Sequence, residues 1–255
     1  MNKLKSIQAI RRKLRRGQST IGGWIQIPHG SVAEIMGAVG YDWVAVDLEH
    51  GSIGVETLPD LFRALELGNT LPLARIAEGR PKDCQLALDA GAGGIIVPNI
   101  QDAEQLKAVR NACRWPPAGK RGVGFSRANL FGKKFEIYKK EAQAPLLVAM
   151  IENSRALPSL DAILRVEGLD AVLIGPYDLS ASLGIAGRLK DSRMGAACQM
   201  ILQKAKKAKV PCGVHVVHPS RAELSKRIRQ GYRFLPYSID TVILASQGKF
   251  GGKLD

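Results

Sequence analysis

Eight short apolar runs, each followed by a segment with helical periodicity, succeed one another through the 255-residue chain without a composition break. They are "IGGWIQI" (21–27), "WVAVDLE" (43–49), "PLARIA" (72–77), "GGIIVPNI" (93–100), "LLVAMIE" (146–152), "DAVLIG" (170–175), "CGVHVV" (212–217) and "FLPYSI" (234–239). Strands alternating with helices pair in parallel, because each helix carries the chain back to the edge where the next strand begins. Eight such units, with 45% hydrophobic residues to fill a core, predict one α/β domain over 1–255, a (β/α)8 TIM barrel rather than a doubly wound sheet. Ser31, Asp102 and Ser220 precede helical patterns as N-caps, and Gly40, Gly68, Gly91, Gly168 and Gly231 end helices as left-handed caps. Residues 115–145 break the rhythm. There the loop "WPPAGKRGVGFSRANLFG" precedes a polar helix, and so long an excursion inside a barrel is expected to serve function. Its Gly122 and Gly124 read as a turn, or as an opening through which backbone N–H groups approach a substrate.

Composition narrows the classes. No run of about 18 apolar residues exists, so no membrane-spanning helix is expected. The first 20 residues lack the apolar core and cleavage site of a secretory signal, and Cys84, Cys113, Cys198 and Cys212 lack C-x-x-C spacing. Both features predict a cytoplasmic protein with free thiols. The net charge of +14 stands out, with seven basic residues and no acid in the first 16 positions, read as a basic N-terminal helix over 1–16. A second basic cluster is "QKAKKAKV" (203–210). Such clusters can serve nucleic acid or an anionic surface. Aromatic residues are only 5% of the chain and do not interleave with them, so the clusters read as solvated helix faces and no nucleic-acid or membrane partner is expected.

Active sites of such barrels collect at the C-terminal ends of the strands. At those ends stand Asp47, Glu49 and His50, then Arg75, Asn99, Glu152 and, after "GPY", Asp178. Two-residue periodicity puts Ala45, Asp47 and Glu49 on one face and Val44, Val46 and Leu48 on the other, so the carboxylates should point inward. Glu152 shares the face of Val148 and Met150, and Arg75 that of Leu73. Inward carboxylates against a single arginine leave negative charge that a divalent cation, or salt bridges to loop Arg or Lys, must balance. Glu152 and Asp178 with waters would suit octahedral Mg2+ or Mn2+. Arg75 offers a planar fork for a carboxylate or enolate, or a structural partner for Glu49 or Asp47. The Asp47 carboxylate, three residues before His50, would orient its ring for proton transfer. His29, His215 and His218 read as structural or surface residues.

"DLEHGS", "ARIAEG", "IIVPNIQDAEQ", "PPAGKRGVG", "IEN" and "EGLDAVLIGPYDLSASLG" resemble, in this order, the HpcH/HpaI-type family of class II pyruvate-dependent aldolases, over about residues 20–245. The resemblance implies a (β/α)8 barrel whose C-terminal helix is exchanged between subunits of a dimer, usually assembled further into a hexamer. It also implies a metal-dependent lyase that reversibly cleaves a 4-hydroxy-2-oxo acid to pyruvate and an aldehyde. Position by position, it makes Glu152 and Asp178 the ligands of Mg2+, Mn2+ or Co2+ and puts Arg75 on the pyruvate carboxylate and enolate oxygen. His50 and Asp47 become the acid/base pair, Glu49 an outer-shell residue contacting metal-bound water, and Trp24 a border of the substrate pocket, where ordinary barrel packing is the alternative. The backbone of Gly175, Pro176 and Asp178 falls at the pyruvate end. The physics agrees: a divalent ion chelated by a 2-oxo acid stabilises the enolate formed when C3–C4 breaks, and Arg75 adds positive charge where negative charge develops. Met150 departs from the pattern, since many members carry glutamine two residues before the metal-binding glutamate and methionine cannot donate that bond. The substrate is therefore assigned only as a 2-oxo acid with a pyruvate half.

An oxaloacetate decarboxylase or another 2-oxo acid lyase would use the same enolate. A Schiff-base aldolase needs an inward lysine, and none of the eight runs contains one. The alternative of another class is a protein that binds nucleic acid or an anionic surface through its basic N-terminal helix.

Overall fold

The chain is described here by a computed structural model over residues 1–248. Eight strands, β1 (Thr20–Ile25), β2 (Trp43–Asp47), β3 (Leu71–Arg75), β4 (Gly94–Val97), β5 (Leu146–Ile151), β6 (Ala171–Ile174), β7 (Cys212–Val214) and β8 (Phe234–Pro236), close into a barrel in chain order. All neighbours are parallel, and β8 returns to β1 with Thr20 opposite Phe234. Outside lie α2 (Gly30–Ala38), α3 (Leu58–Leu67), α4 (Pro81–Ala90), α5 (Ala103–Cys113), α6 (Phe135–Ala142) and α7 (Ala156–Leu164). They continue with α8 (Pro176–Ser182), α9 (Ser192–Lys207), α10 (Arg221–Gln230) and α11 (Asp240–Gln247), while α1 (Lys3–Arg15) precedes the first strand.

Alternation sorts the side chains as expected. Val44 and Val46 belong to the layer between sheet and helices, and Trp43 and Ala45 face inward with Leu73, Val148, Met150 and Leu173. Asp102 and Ser220 cap α5 and α10 through their side-chain oxygens. Two expected ends differ. His29 Nδ1 accepts the Ser31 N–H, so α2 starts at Gly30 and Ser31 lies inside its first turn. Gly68 has φ −82°, and the left-handed residue is Asn69 at φ 58°. The glycine is needed for a different reason: a Cβ there would lie 2.2 Å from the Gly37 carbonyl oxygen, at the close approach of α2 and α3.

The floor of the barrel departs most from a solvated basic face. Ile7, Ile10 and Leu14 of α1 are buried in the same cluster as Trp43, Leu71, Leu146 and Phe234, the first residues of four strands. Cations flanking that stripe reach down to the barrel. Arg11 grips Asp170 through Nε at 2.7 Å and Nη2 at 2.9 Å, Lys13 pairs with Asp42, and Lys3 lies 3.2 Å from Glu141. Lys5, Arg12, Arg15 and Arg16 remain exposed, as does most of the 203–210 cluster on α9. The 115–145 excursion buttresses this same end: Arg127 donates to the Ala90 carbonyl and pairs with Glu66, while Glu141 of α6 meets Lys3. These contacts hold Arg127 and α6 at the floor, away from the strand C-termini. All four cysteines are free. No helix among the described residues is long and apolar enough to cross a membrane.

Ile7 is fully buried and Arg12 exposed, which separates plug from charge. Ile7→Ala should lower unfolding stability by about 2–5 kcal/mol, and Arg12→Ala should change it by no more than about 0.5 kcal/mol, as read from urea denaturation midpoints. Equal losses would refute the plug.

Candidate active site

The mouth is assembled from strand ends. Asp47 and Arg75, the last residues of β2 and β3, are register partners. Their side chains meet in a two-pronged ion pair, Nε to Oδ1 at 2.9 Å and Nη2 to Oδ2 at 2.6 Å, with Asp47 inaccessible and Arg75 only 6% exposed. Arg75 Nη1 lies 2.8 Å from Glu49 Oε2, and its Cζ sits 5.1 Å from the Trp24 ring centroid. The Glu49 contact is an ion pair without hydrogen-bond geometry, so of the five N–H groups of the guanidinium both on Nη1 and one on Nη2 stay uncommitted among the described residues. Burial alone would raise the Asp47 pKa, but the bonds and charge of Arg75 and the amide of Gln26 hold it below the ordinary carboxylate range. Glu49 is pushed up, by burial first and then by the charges of Asp47 and Asp178.

Asp47 does not orient the His50 ring as expected. Its Oδ1 accepts the backbone N–H groups of Glu49 at 3.0 Å and His50 at 3.1 Å, and Oδ2 accepts Gln26 Nε2 at 3.0 Å. With Arg75 on both oxygens, the carboxylate is fully engaged and anchors the loop that carries the exposed His50.

Glu152 directly follows β5 and is 4% exposed. Its Oε1 accepts the Asn99 N–H at 2.7 Å, from a residue held at φ 50°, whereas Oε2 is buried with no partner among the described residues. Burial, aided by the charges of Glu49 and Asp178, pushes its pKa up to about 7. Asp178 stands exposed in the first turn of α8, close enough for its charge to act on both glutamates. Gly175 is required where it is, because a Cβ would fall 2.2 Å from Glu152 Oε2.

Among the described residues no three His, Cys, Asp or Glu side chains form a ready cation cage. The donor set nevertheless fits a hard divalent ion. Two carboxylates, one with an orphaned buried oxygen, and waters or substrate in the remaining positions are what Mg2+ or Mn2+ accepts.

Two further residues stand at this mouth, Gln26, which the sequence reading did not single out, and His215, which it read as structural or surface; two-residue alternation points to both. Gln26, two beyond Trp24, bonds Asp47 and donates to the His50 carbonyl at 2.7 Å, and its main chain is held by Asp240. His215, two beyond the inward Gly213, packs tilted against Trp24 with ring centroids 5.1 Å apart and an interplanar angle of 33°, and senses the charges of Arg75 and Asp47.

A profile of the HpcH/HpaI aldolase/citrate lyase family matches residues 20–246. The chain is 34% identical over 246 residues to a hydroxypyruvate/pyruvate aldolase of Roseobacter denitrificans, covering 95% of each chain. It is 38% identical over 236 residues to a 2-keto-3-deoxy-L-rhamnonate aldolase of Salmonella schwarzengrund, covering 90% of this chain and 86% of that one. A crystal structure of an HpcH/HpaI aldolase/citrate lyase family protein from Burkholderia cenocepacia superposes with a TM-score of 0.88 at 28% identity, covering 94% and 95% of the two chains.

Removing the guanidinium tests the pairing. In the native chain the folded pKa of Asp47 lies below its unfolded value of about 3.9, so its contribution is complete above that pH and is lost as pH falls through the folded pKa. Arg75→Met leaves a buried unpaired carboxylate with a raised pKa. Stability should drop by about 3–5 kcal/mol at pH 7, and the loss relative to the native protein should grow as pH rises from about 4 to 7. Urea melts across that range that run parallel for the two proteins would refute the account.

Proposed function

The chain belongs to the HpcH/HpaI aldolase/citrate lyase family, and on that footing we propose that it is a divalent-metal-dependent aldehyde-lyase that reversibly cleaves a 4-hydroxy-2-oxo acid to pyruvate and an aldehyde. The observation that carries this reading is the orphaned buried oxygen of Glu152 beside Asp178, within electrostatic reach of the partly uncommitted Arg75 guanidinium. That two of its relatives are aldolases supports the same class of reaction.

Glu152 and Asp178 would hold Mg2+, Mn2+ or Co2+, with Glu49 in the outer shell, and a divalent ion there supplies Lewis acidity that favours enolate formation in a 2-oxo acid. Arg75 turns its uncommitted N–H groups toward the substrate carboxylate and the oxygen on which negative charge develops. Trp24 walls the pocket beneath that guanidinium, and the backbone from Gly175 through Pro176 to Asp178 borders the pyruvate end without covering Glu152. His50 takes the proton from the C4 hydroxyl during cleavage and returns it during condensation. Asp47 serves that step by holding the His50 backbone and the Arg75 fork, not by touching the imidazole. Met150, inward and 4% exposed, presents an apolar wall with no donor to the substrate. We further propose a dimer-based homo-oligomer as the working assembly.

The test is pyruvate release from a panel of 4-hydroxy-2-oxo acids and from oxaloacetate, with EDTA and then with each divalent ion restored. Cleavage of a hydroxy-oxo acid should vanish with chelator and return with metal; turnover of oxaloacetate alone would make the protein a decarboxylase instead. Glu152→Gln and Asp178→Asn should abolish metal-restored activity while leaving the circular dichroism of the barrel intact. Full activity of either variant in chelator-treated buffer would refute the metal reading. His50→Asn should lower kcat by about 10²–10⁴-fold with folding unchanged.

A further inference from the structure

We infer that His215 is a positioning residue, an aromatic brace that holds Trp24 against Arg75 and so fixes the guanidinium on which substrate binding depends. The inference rests on the role given to Arg75 above.

Trp24 is 1% exposed, yet its indole Nε1 has no hydrogen-bond partner among the described residues. The plane of the ring is therefore set by what packs on it. Three groups do so: the Arg75 guanidinium at 5.1 Å, the His215 ring at 5.1 Å and 33°, and the edge of Trp43 at 6.5 Å and 73°. Trp43 is itself stacked on Phe234 with centroids 4.2 Å apart, so it belongs to the packed interior and leaves Arg75 and His215 as the partners at the mouth.

His215 is well held for the task. It directly follows β7, and beyond it the Val216 N–H donates to the Pro236 carbonyl while the Ser238 N–H donates to Val216, extending the pairing with β8 past the His215 backbone. Its Nε2 faces the Ser238 carbonyl at 3.4 Å, which favours the tautomer with hydrogen on Nε2 and none on Nδ1. Burial first, and then the Arg75 charge, push its pKa down to about 4. A neutral ring suits the geometry, since an imidazolium on Trp24 would compete with the guanidinium for the same π system and repel it. The residue thus acts on the substrate only through Trp24 and Arg75, and it is not a second base.

The experiment compares the metal-loaded full chain with His215→Ala, His215→Phe and His215→Asn. A brace predicts that Ala raises KM for the 2-oxo acid by about tenfold or more with a smaller change in kcat, and that Phe restores KM to within about twofold of native. The pH profile of the Phe variant should superpose on that of the native protein. A profile shifted by the Phe change would mean that His215 titrates in the reaction, and rescue by Asn but not Phe would mean that the bond to Ser238 is what matters; either overturns the inference. A second readout does not need the proposed reaction: the exciton band of the Trp24 and Trp43 pair in circular dichroism should weaken in Ala and persist in Phe. If the native protein turns over nothing in the panel, the proposed function has failed, and this band alone decides the brace: unchanged in Ala, it overturns it. If Ala does not fold, Phe near native with Asn impaired supports the brace, and the reverse order overturns it.

Discussion

Asp47 inside the barrel is tolerable only because Arg75 lies beside it, and the mouth is organised around that fact. A carboxylate removed from water costs several kcal/mol unless charge and hydrogen bonds compensate it. Here five N–H groups converge on two oxygens, from Arg75 twice, from Gln26, and from the backbone of Glu49 and His50. The compensation is therefore also a joint. It ties the ends of β1, β2 and β3 and the loop after β2 to one point, so the residues that would meet a substrate are located by the same bonds that make the buried charge stable.

The site thus combines a saturated anion with an unsaturated one. Asp47 has no capacity left, whereas Glu152 keeps one oxygen bare and carries a carboxyl whose ionisation is resisted by burial and by its acidic neighbours. The first geometry is that of an architectural group, and the second leaves an acceptor oxygen open. By residue type and position alone both are simply acids at the ends of strands.

Much was nonetheless legible from the residues. Eight apolar runs with helical segments between them could close in only a few ways, and alternation within each run correctly separated Val44 and Val46 from Ala45 and Asp47. The same rule, carried to the ends of the first and seventh runs, would have found Gln26 and His215. Gln26 was passed over and His215 read only as structural or surface, because an amide and a lone histidine carry less chemical signal than a carboxylate. What sequence alone could not supply were contacts across long separations. Seven cations without an acid in the first 16 positions look like a solvated face until Asp170, Asp42 and Glu141 are brought up against them. Asp47 and His50, three apart, look like a side-chain pair until the backbone takes the carboxylate.

The helix that plugs the floor also bears on how the chain comes together. Ile7 shares a packed cluster with Leu146 and Phe234, more than two hundred residues apart at the extreme, and that cluster has a floor to be plugged only after the barrel has closed. Such contacts have high sequence separation, and their loop-closure entropy must be met before any stabilisation returns. During synthesis the apolar stripe of α1 emerges before the eight strands, and its site is completed by the last of them. Helix α1 thus leaves the ribosome well before its native partners exist, and its flanking cations keep it solvated in the interval.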